Sequence, residues 1–116
     1  DYPQTIETPQ GAIRELPISV RDFFGTKIPV SGGAYFRIYP FAFTRANMRA
    51  REATGRPTVF YIHPWEMDPS HPRPPFHWKA RATHYVNLKS SAAKLKRLFE
   101  TFSFAPLGEV LSDGTH

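Results

Sequence analysis

Cysteine is absent from this 116-residue chain. The absence excludes a disulfide framework and every thiolate metal site, but it leaves both reducing and oxidising compartments open. No apolar run approaches the ~20 residues that a membrane-spanning helix requires. The first residues, Asp1 to Gln4, show neither the basic nor the apolar region of a secretory signal, and there is no initial Met. These features predict a fragment or a processed product without a membrane span.

What the chain does contain is enough for a packed core. Hydrophobic residues make up 41% of it and aromatic residues 15%, which suits one modest domain. The net charge of +5 favours an anionic partner through long-range attraction. Its densest cationic stretch, residues 89–97, fits the solvated face of one helix, so the charge alone predicts no nucleic-acid partner.

Residue patterns predict a mixed α/β chain. Residues 1–11 are polar and rich in turn formers, so we expect a loop there. Residues 12–20 form a plausible edge strand interrupted by Pro17, and residues 25–30 form a short extended piece before the glycine turn at Gly32 and Gly33. Apolar residues at helical spacing predict one helix of about 13 residues that starts near Pro40 and stops at Gly55.

The second half begins with the strongest strand signal. Residues 58–62 are β-branched and aromatic without alternation, as in a strand buried on both faces. Residues 65–83 show no period and predict a long loop, and 84–88 predict a short extended piece. A helix capped by Ser90 or Ser91 follows and runs to Phe102. Residues 104–111 predict a turn and a short strand, and 112–116 a frayed end.

His63 is the leading candidate for chemistry because it follows the predicted strand. Histidine transfers protons near neutral pH, and a histidine that only hydrogen-bonds at a strand end is an equally good interpretation of this position. Glu66, Asp68, His71 and His77 follow and offer nitrogen and oxygen ligands. Their spacing matches no compact zinc motif, so a metal site built from these residues is the weaker hypothesis.

Two aromatic residues have a positional reason to contact a sugar. Trp65 adjoins His63 and Tyr35 adjoins the glycine turn, and aromatic faces stack on sugar rings. Core packing is the alternative for both. The short segment 35–37 is too small for the stacking platform that single-stranded nucleic acid needs.

Several segments in fixed order resemble one family. They are residues 16–19, 29–37, 55–69 and 84–88. Together they are similar to the bacterial polysaccharide deacetylase (NodB-homology) family, in the subgroup of exopolysaccharide and PEP-CTERM loci. The resemblance covers about residues 11–111. It implies that residues 1–69 are the carboxy-terminal part of a distorted (β/α) barrel and that 70–116 are a carboxy-terminal extension with one amphipathic helix. The compartment, bacterial cytoplasm or cell envelope, stays open.

The resemblance also implies an activity and roles for particular residues. Members remove acetyl groups from N-acetylated sugars with a divalent metal, zinc in our expectation. Residues 59–63 match the motif whose histidine protonates the leaving amine, which makes His63 the catalytic residue. Tyr35, Arg37 and Trp65 become the substrate-binding residues.

The motifs that hold the metal and the catalytic base in that family are missing from this sequence. We therefore expect no metal on this chain and no activity from it alone. The expected partners are an N-acetylated polysaccharide and the missing amino-terminal part of the deacetylase domain. An exposed apolar face is expected where that part would pack. The rival hypotheses are a noncatalytic carbohydrate-binding or accessory module, and a small metalloprotein built on the histidine-rich loop.

Overall fold

The computed structural model describes residues 2–75 and 77–113, and it is mixed α/β. The strands are β1 Gln4–Thr8, β2 Gly11–Glu15, β3 Val20–Phe23 and β4 Thr26–Pro29. The helices are α1 Gly33–Ile38, α2 Phe41–Glu52, α3 Trp78–Tyr85, α4 Ser91–Thr101 and α5 Leu107–Asp113, with 3-10 turns at Pro64–Met67 and Leu88–Ser90. None of the described helices is long and apolar enough to cross a membrane.

The strands form two separate antiparallel hairpins, β1-β2 and β3-β4. In β3-β4 the two turn residues, Phe24 and Gly25, both have positive φ, as a tight hairpin with right-handed strand twist requires. The described residues form no barrel. The prediction of a loop over residues 1–11 was wrong, because β1 is exposed along most of its length and lacks the alternation that marks a half-buried strand. The strand predicted over 12–20 is interrupted at 16–19, around Pro17.

Among the described residues a small core holds α1, α2 and α4 together. Its buried members come from α1, α2 and α4 and the residue after α4: Phe36, Phe41, Met48, Leu98 and Phe102. Phe60, Ile62 and Leu95 pack against them from the side. The predicted helices at 40–55 and 90–102 are confirmed as α2 and α4, because each presents an apolar stripe to this core.

The segment 58–62 is not a laddered strand. It is partly exposed, and no other described segment pairs with it as a sheet, so the expectation of burial on both faces was wrong. Its aromatic and β-branched composition favours extended backbone, but composition does not determine whether another strand pairs with it.

Later elements also differ from the sequence prediction. The predicted long loop over 65–83 contains a 3-10 turn and most of α3. The predicted extended piece at 84–88 is instead the end of α3 followed by Asn87 in the left-handed conformation. The predicted last strand is instead α5. The stretch after residue 69 thus contains three helices where one was predicted. α3 has no buried residue and therefore no apolar stripe to detect. Part of the predicted frayed end, residues 114–116, lies outside the described residues.

Candidate functional site

A glycine pair brings α1 against the segment that carries His63. The Gly33 amide donates a hydrogen bond to the Tyr61 carbonyl oxygen at 3.1 Å. Gly32 has φ +84°, and a Cβ atom there would lie 2.1 Å from the same carbonyl oxygen. Only glycine combines this backbone conformation with this close approach.

A tight turn then fixes His63. Pro64 begins the 3-10 turn, where its missing amide hydrogen is harmless, and Glu66 occupies the third position. The Glu66 Oε2 atom accepts a hydrogen bond from the His63 amide at 2.8 Å and lies 3.1 Å from the His63 Nδ1 atom. Glu66 therefore holds both the backbone and the ring of His63.

Arg37 neutralises the buried carboxylate. Its side chain is 2% exposed and that of Glu66 1%, and the Arg37 Nε and Glu66 Oε1 atoms are 3.2 Å apart. The other guanidinium nitrogens donate hydrogen bonds to carbonyl oxygens at the end of α3, those of Thr83, His84 and Val86. A cation at a helix carboxyl end is favourable because the helix dipole is negative there. Arg37 thus joins α1, the His63 turn and α3.

The Trp65 ring packs against the Arg37 guanidinium and the His84 ring. The Arg37 guanidinium lies 5.0 Å from its ring centre, and the His84 ring stacks on it at 3.9 Å with an interplanar angle of 9°. Burial, then electrostatic repulsion from Arg37 and His71, lowers the pKa of His84 from its usual value, while Glu66 acts in the opposite direction. A neutral His84 ring is therefore the form that this stack favours.

These groups surround an open cleft of about 510 Å³. Its walls are Gly33, Ala34 and Arg37 of α1, then Tyr61, His63, Trp65 and Glu66, and Lys79, Ala80, Thr83 and His84 of α3. Three of the sequence candidates, His63, Arg37 and Trp65, therefore come together. Tyr35 is not among the lining residues and lies against Tyr39 at 5.9 Å between ring centres.

Sequence reasoning missed one wall of the cleft and the partner of His63. The sequence predicts a loop up to residue 83 and an extended piece from 84, because α3 has no periodic signal. The sequence suggests only metal binding for Glu66. The sequence does contain a signal for this role of Glu66. Glu66 follows His63 by three positions and Pro64 can begin a helical turn, which is the spacing of a capping box.

The described residues do not fit the divalent metal that the resemblance implies. No three or more histidine, aspartate or glutamate side chains among them group closely enough to hold an ion. Glu66 is committed to Arg37 and His63. Asp68 accepts two hydrogen bonds from Ser70, and these bonds lower the pKa of its carboxyl group.

The His63 ring can exchange a proton with a molecule in the cleft. Its side chain is 57% exposed, and its Nδ1 atom faces the nearly inaccessible Glu66 carboxylate. The arrangement favours a proton on Nδ1 and leaves Nε2 as the atom for transfer to or from a ligand. The site thus offers a histidine ring, oriented by Glu66, that can act as an acid or a base.

Comparison with known proteins places the chain in one family. The model of the family described as "Domain of unknown function (DUF3473)" matches residues 1–112. Searches of curated proteins and of solved structures find no match. Because the family model covers nearly the whole chain, the chain belongs to the DUF3473 family.

Proposed function

We propose that this chain supplies the general-acid side of the active site of a metal-dependent polysaccharide N-deacetylase, a hydrolase of carbon–nitrogen bonds. The observation that carries the proposal is the geometry of His63. A buried carboxylate orients its ring, and the ring reaches an open cleft. The sequence resemblance supplies the reaction class.

Amide hydrolysis requires that the leaving nitrogen be protonated. When the tetrahedral intermediate of amide hydrolysis collapses, the carbon–nitrogen bond breaks and the nitrogen must leave as a neutral amine. His63 gives that proton from Nε2, and the Glu66 carboxylate stabilises the ring orientation in both protonation states. Arg37 pairs with Glu66 and supplies the opposite charge beside it.

The other half of the reaction requires a different part of the protein. A metal of the expected kind would supply the attacking water, and no step involving it is assigned to the described residues. The proposed partner is the amino-terminal part of a deacetylase domain, which carries the base and the metal ligands. This chain alone is therefore expected to be inactive.

The proposed substrate is an N-acetylated polysaccharide lying in the cleft. Arg37 is buried and Trp65 half-buried in the wall, and the two side chains pack on each other, so they shape the cleft beside His63. The Tyr61 ring is 38% exposed and offers a stacking face to a sugar ring. Tyr35 stays a predicted substrate contact from the sequence alone.

The test is the His63→Ala variant in the protein encoded by the complete gene, assayed for acetate release from chitooligosaccharides. Removing a general acid lowers kcat by about 10²–10⁴-fold. The matched control is His77→Ala, since His77 is exposed and does not line the cleft. Turnover by His63→Ala equal to that of the control would sink the proposal.

A second candidate is a noncatalytic glycan-binding module, and the aromatic wall of the cleft favours it. Under that hypothesis the 116-residue chain binds chitooligosaccharides by itself, and Tyr61→Ala weakens binding while His63→Gln does not. Isothermal titration of the folded chain separates the hypotheses, because an absence of binding heat counts against the binding module and leaves the catalytic proposal intact.

A further inference from the structure

The cleft beside His63 offers a ligand positive charge and little negative charge. Glu66 is the carboxylate among its lining residues, and that side chain is only 1% exposed. The Arg37 guanidinium, 2% exposed, lies against it, with the Arg37 Nε and Glu66 Oε1 atoms 3.2 Å apart. The two opposite charges largely offset each other inside the wall. The permanent charge that remains for a ligand is therefore that of Lys79.

Lys79 extends from α3 and is exposed where it lines the cleft. Its ammonium group lies 5.5 Å from the centre of the Trp78 ring. The ion pairs among the described residues do not include Lys79. Because no described carboxylate pairs with it, its charge is available to a molecule in the cleft.

The position of Lys79 in α3 does not favour the helix itself. Lys79 lies in the first turn, and that turn contains no acidic residue. The helix dipole is positive at this end, so a lysine there is mildly unfavourable and the two positive fields add. The stability of α3 therefore gives no reason for a cation at this position, whereas an anion bound in the cleft would.

The electrostatic environment of His84 agrees with a positive cleft wall. After burial, which is the largest cause, repulsion from Arg37 and His71 lowers the pKa of His84, and each acts more strongly than the opposing Glu66. Electrostatics that disfavour an added proton at this point of the wall favour an added negative charge. The net charge of +5 acts in the same direction at longer range.

We propose that the cleft binds an acidic saccharide and that Lys79 contacts a carboxylate carried by one of its sugar units. The inference rests on the proposed function for the N-acetylated sugar unit that lies at His63. A neutral saccharide leaves the Lys79 charge without a partner, whereas a carboxylate accepts a charge-assisted hydrogen bond from it. A carboxylate also matches one lysine in charge, while a phosphate monoester carries about two negative charges near pH 7.

Two saccharides with the same backbone test the charge preference. They are the N-acetylated chitin tetrasaccharide and the same molecule with its C6 hydroxymethyl groups oxidised to carboxylates. In NMR titrations of the 116-residue chain, the oxidised sugar is expected to bind about fivefold more tightly at low salt. The difference should shrink at high salt, because ions screen an exposed charge pair. Equal affinities, or no shifts with either sugar, overturn the inference.

A single-stranded oligonucleotide tests the other polyanion that a basic cleft could attract. It is expected to leave the amides of His63 and Lys79 unshifted, because the short segment 35–37 is too small for a platform on which bases stack. An oligonucleotide that shifts the cleft amides at lower concentration than the oxidised sugar overturns the choice of a saccharide.

Lys79→Gln separates a local contact from the overall charge. The variant keeps a polar side chain, removes the charge, and is expected to bind both sugars equally. The matched control is Lys89→Gln, because Lys89 is exposed, does not line the cleft and changes the net charge by the same amount. The control is expected to keep the preference for the oxidised sugar. Equal loss of the preference in both variants would assign it to net charge and overturn the role of Lys79.

Kinetics in the protein encoded by the complete gene distinguish this inference from the proposed reaction. Lys79→Gln is expected to raise KM for the oxidised sugar about fivefold and to change kcat little, because the charge contact exists before and during the reaction. A preference for the acidic sugar that depends on Lys79 upholds the inference even if His63→Ala retains full turnover. An inactive His63→Ala together with no such preference upholds the reaction and overturns the inference.

Discussion

Single side chains at the cleft carry large energetic consequences because they are charged and buried. Glu66→Gln keeps the shape of the side chain and leaves the Arg37 guanidinium without its counter-charge. Loss of one member of a buried ion pair typically destabilises by about 3–5 kcal/mol. Urea denaturation of the 116-residue chain measures the change.

The control for this variant is an exposed carboxylate in a similar pair. Glu100 lies 4.0 Å from Lys96 with both side chains mostly exposed, so Glu100→Gln is expected to leave stability near that of the wild type. Equal unfolding midpoints for Glu66→Gln and Glu100→Gln would show that the buried pair contributes little.

His84 predicts a pH dependence of stability. Its folded-state pKa lies below the ordinary histidine value of 6.5, mainly through burial. Below pH ~6.5 the unfolded chain therefore binds a proton that the folded chain resists, and stability falls as the pH drops toward the folded-state pKa. The contribution is fully present above pH ~6.5.

The measurement compares urea midpoints at pH 7.5 and pH 5.5 for the wild type and His84→Gln. The variant is expected to lose less stability across this interval, because it lacks the imidazole whose folded-state pKa is lowered. A steeper or unchanged loss in His84→Gln contradicts the assignment.

Turns and helices depend on backbone positions that only some residues tolerate. Gly25 and Gly32 have nearly equal positive φ values, +83° and +84°, but a Cβ atom meets nothing within 4 Å at Gly25. Gly25→Ala therefore reports the conformational cost alone, about 1–2 kcal/mol. Gly32→Ala adds a clash with the Tyr61 carbonyl and is expected to destabilise the chain clearly more. Equal losses in denaturant melts would refute the close approach.

Some helices could be predicted from the sequence and one could not. α2 and α4 were predictable because each repeats apolar residues toward the core, and the His63 turn was predictable as the end of an extended segment. α3 was not, since Arg37 and the Trp65 stack anchor it through polar and aromatic contacts that leave no periodic trace. Three residues that line the cleft, His63, Arg37 and Trp65, were therefore candidates from the sequence, whereas the α3 wall was not predicted and Tyr35 does not line the cleft.

The whole chain is extended for its length. Its radius of gyration is 16.3 Å, against about 13 Å for a compact domain of 116 residues. The small core of the described residues is therefore expected to support most of the stability. Leu98→Ala, at a fully buried position, is expected to cost about 2–5 kcal/mol, a large part of the 5–15 kcal/mol typical of a domain.

Phe99 provides the neighbouring control, since its side chain is 59% exposed. Phe99→Ala is expected to keep nearly wild-type stability in thermal or urea unfolding. A small effect of Leu98→Ala would show that the core is not the main source of stability in this chain.

The stack of Trp65 on His84 gives the cleft an optical signal of its own. The chain has two tryptophans, and Trp78 is largely exposed, so Trp78→Phe leaves one indole as the emitter. A protonated imidazole quenches indole emission on contact, whereas an indole released from the wall emits at longer wavelength. The emission intensity of Trp65 therefore reports whether His84 is protonated, and its emission wavelength reports whether α3 is packed against the cleft.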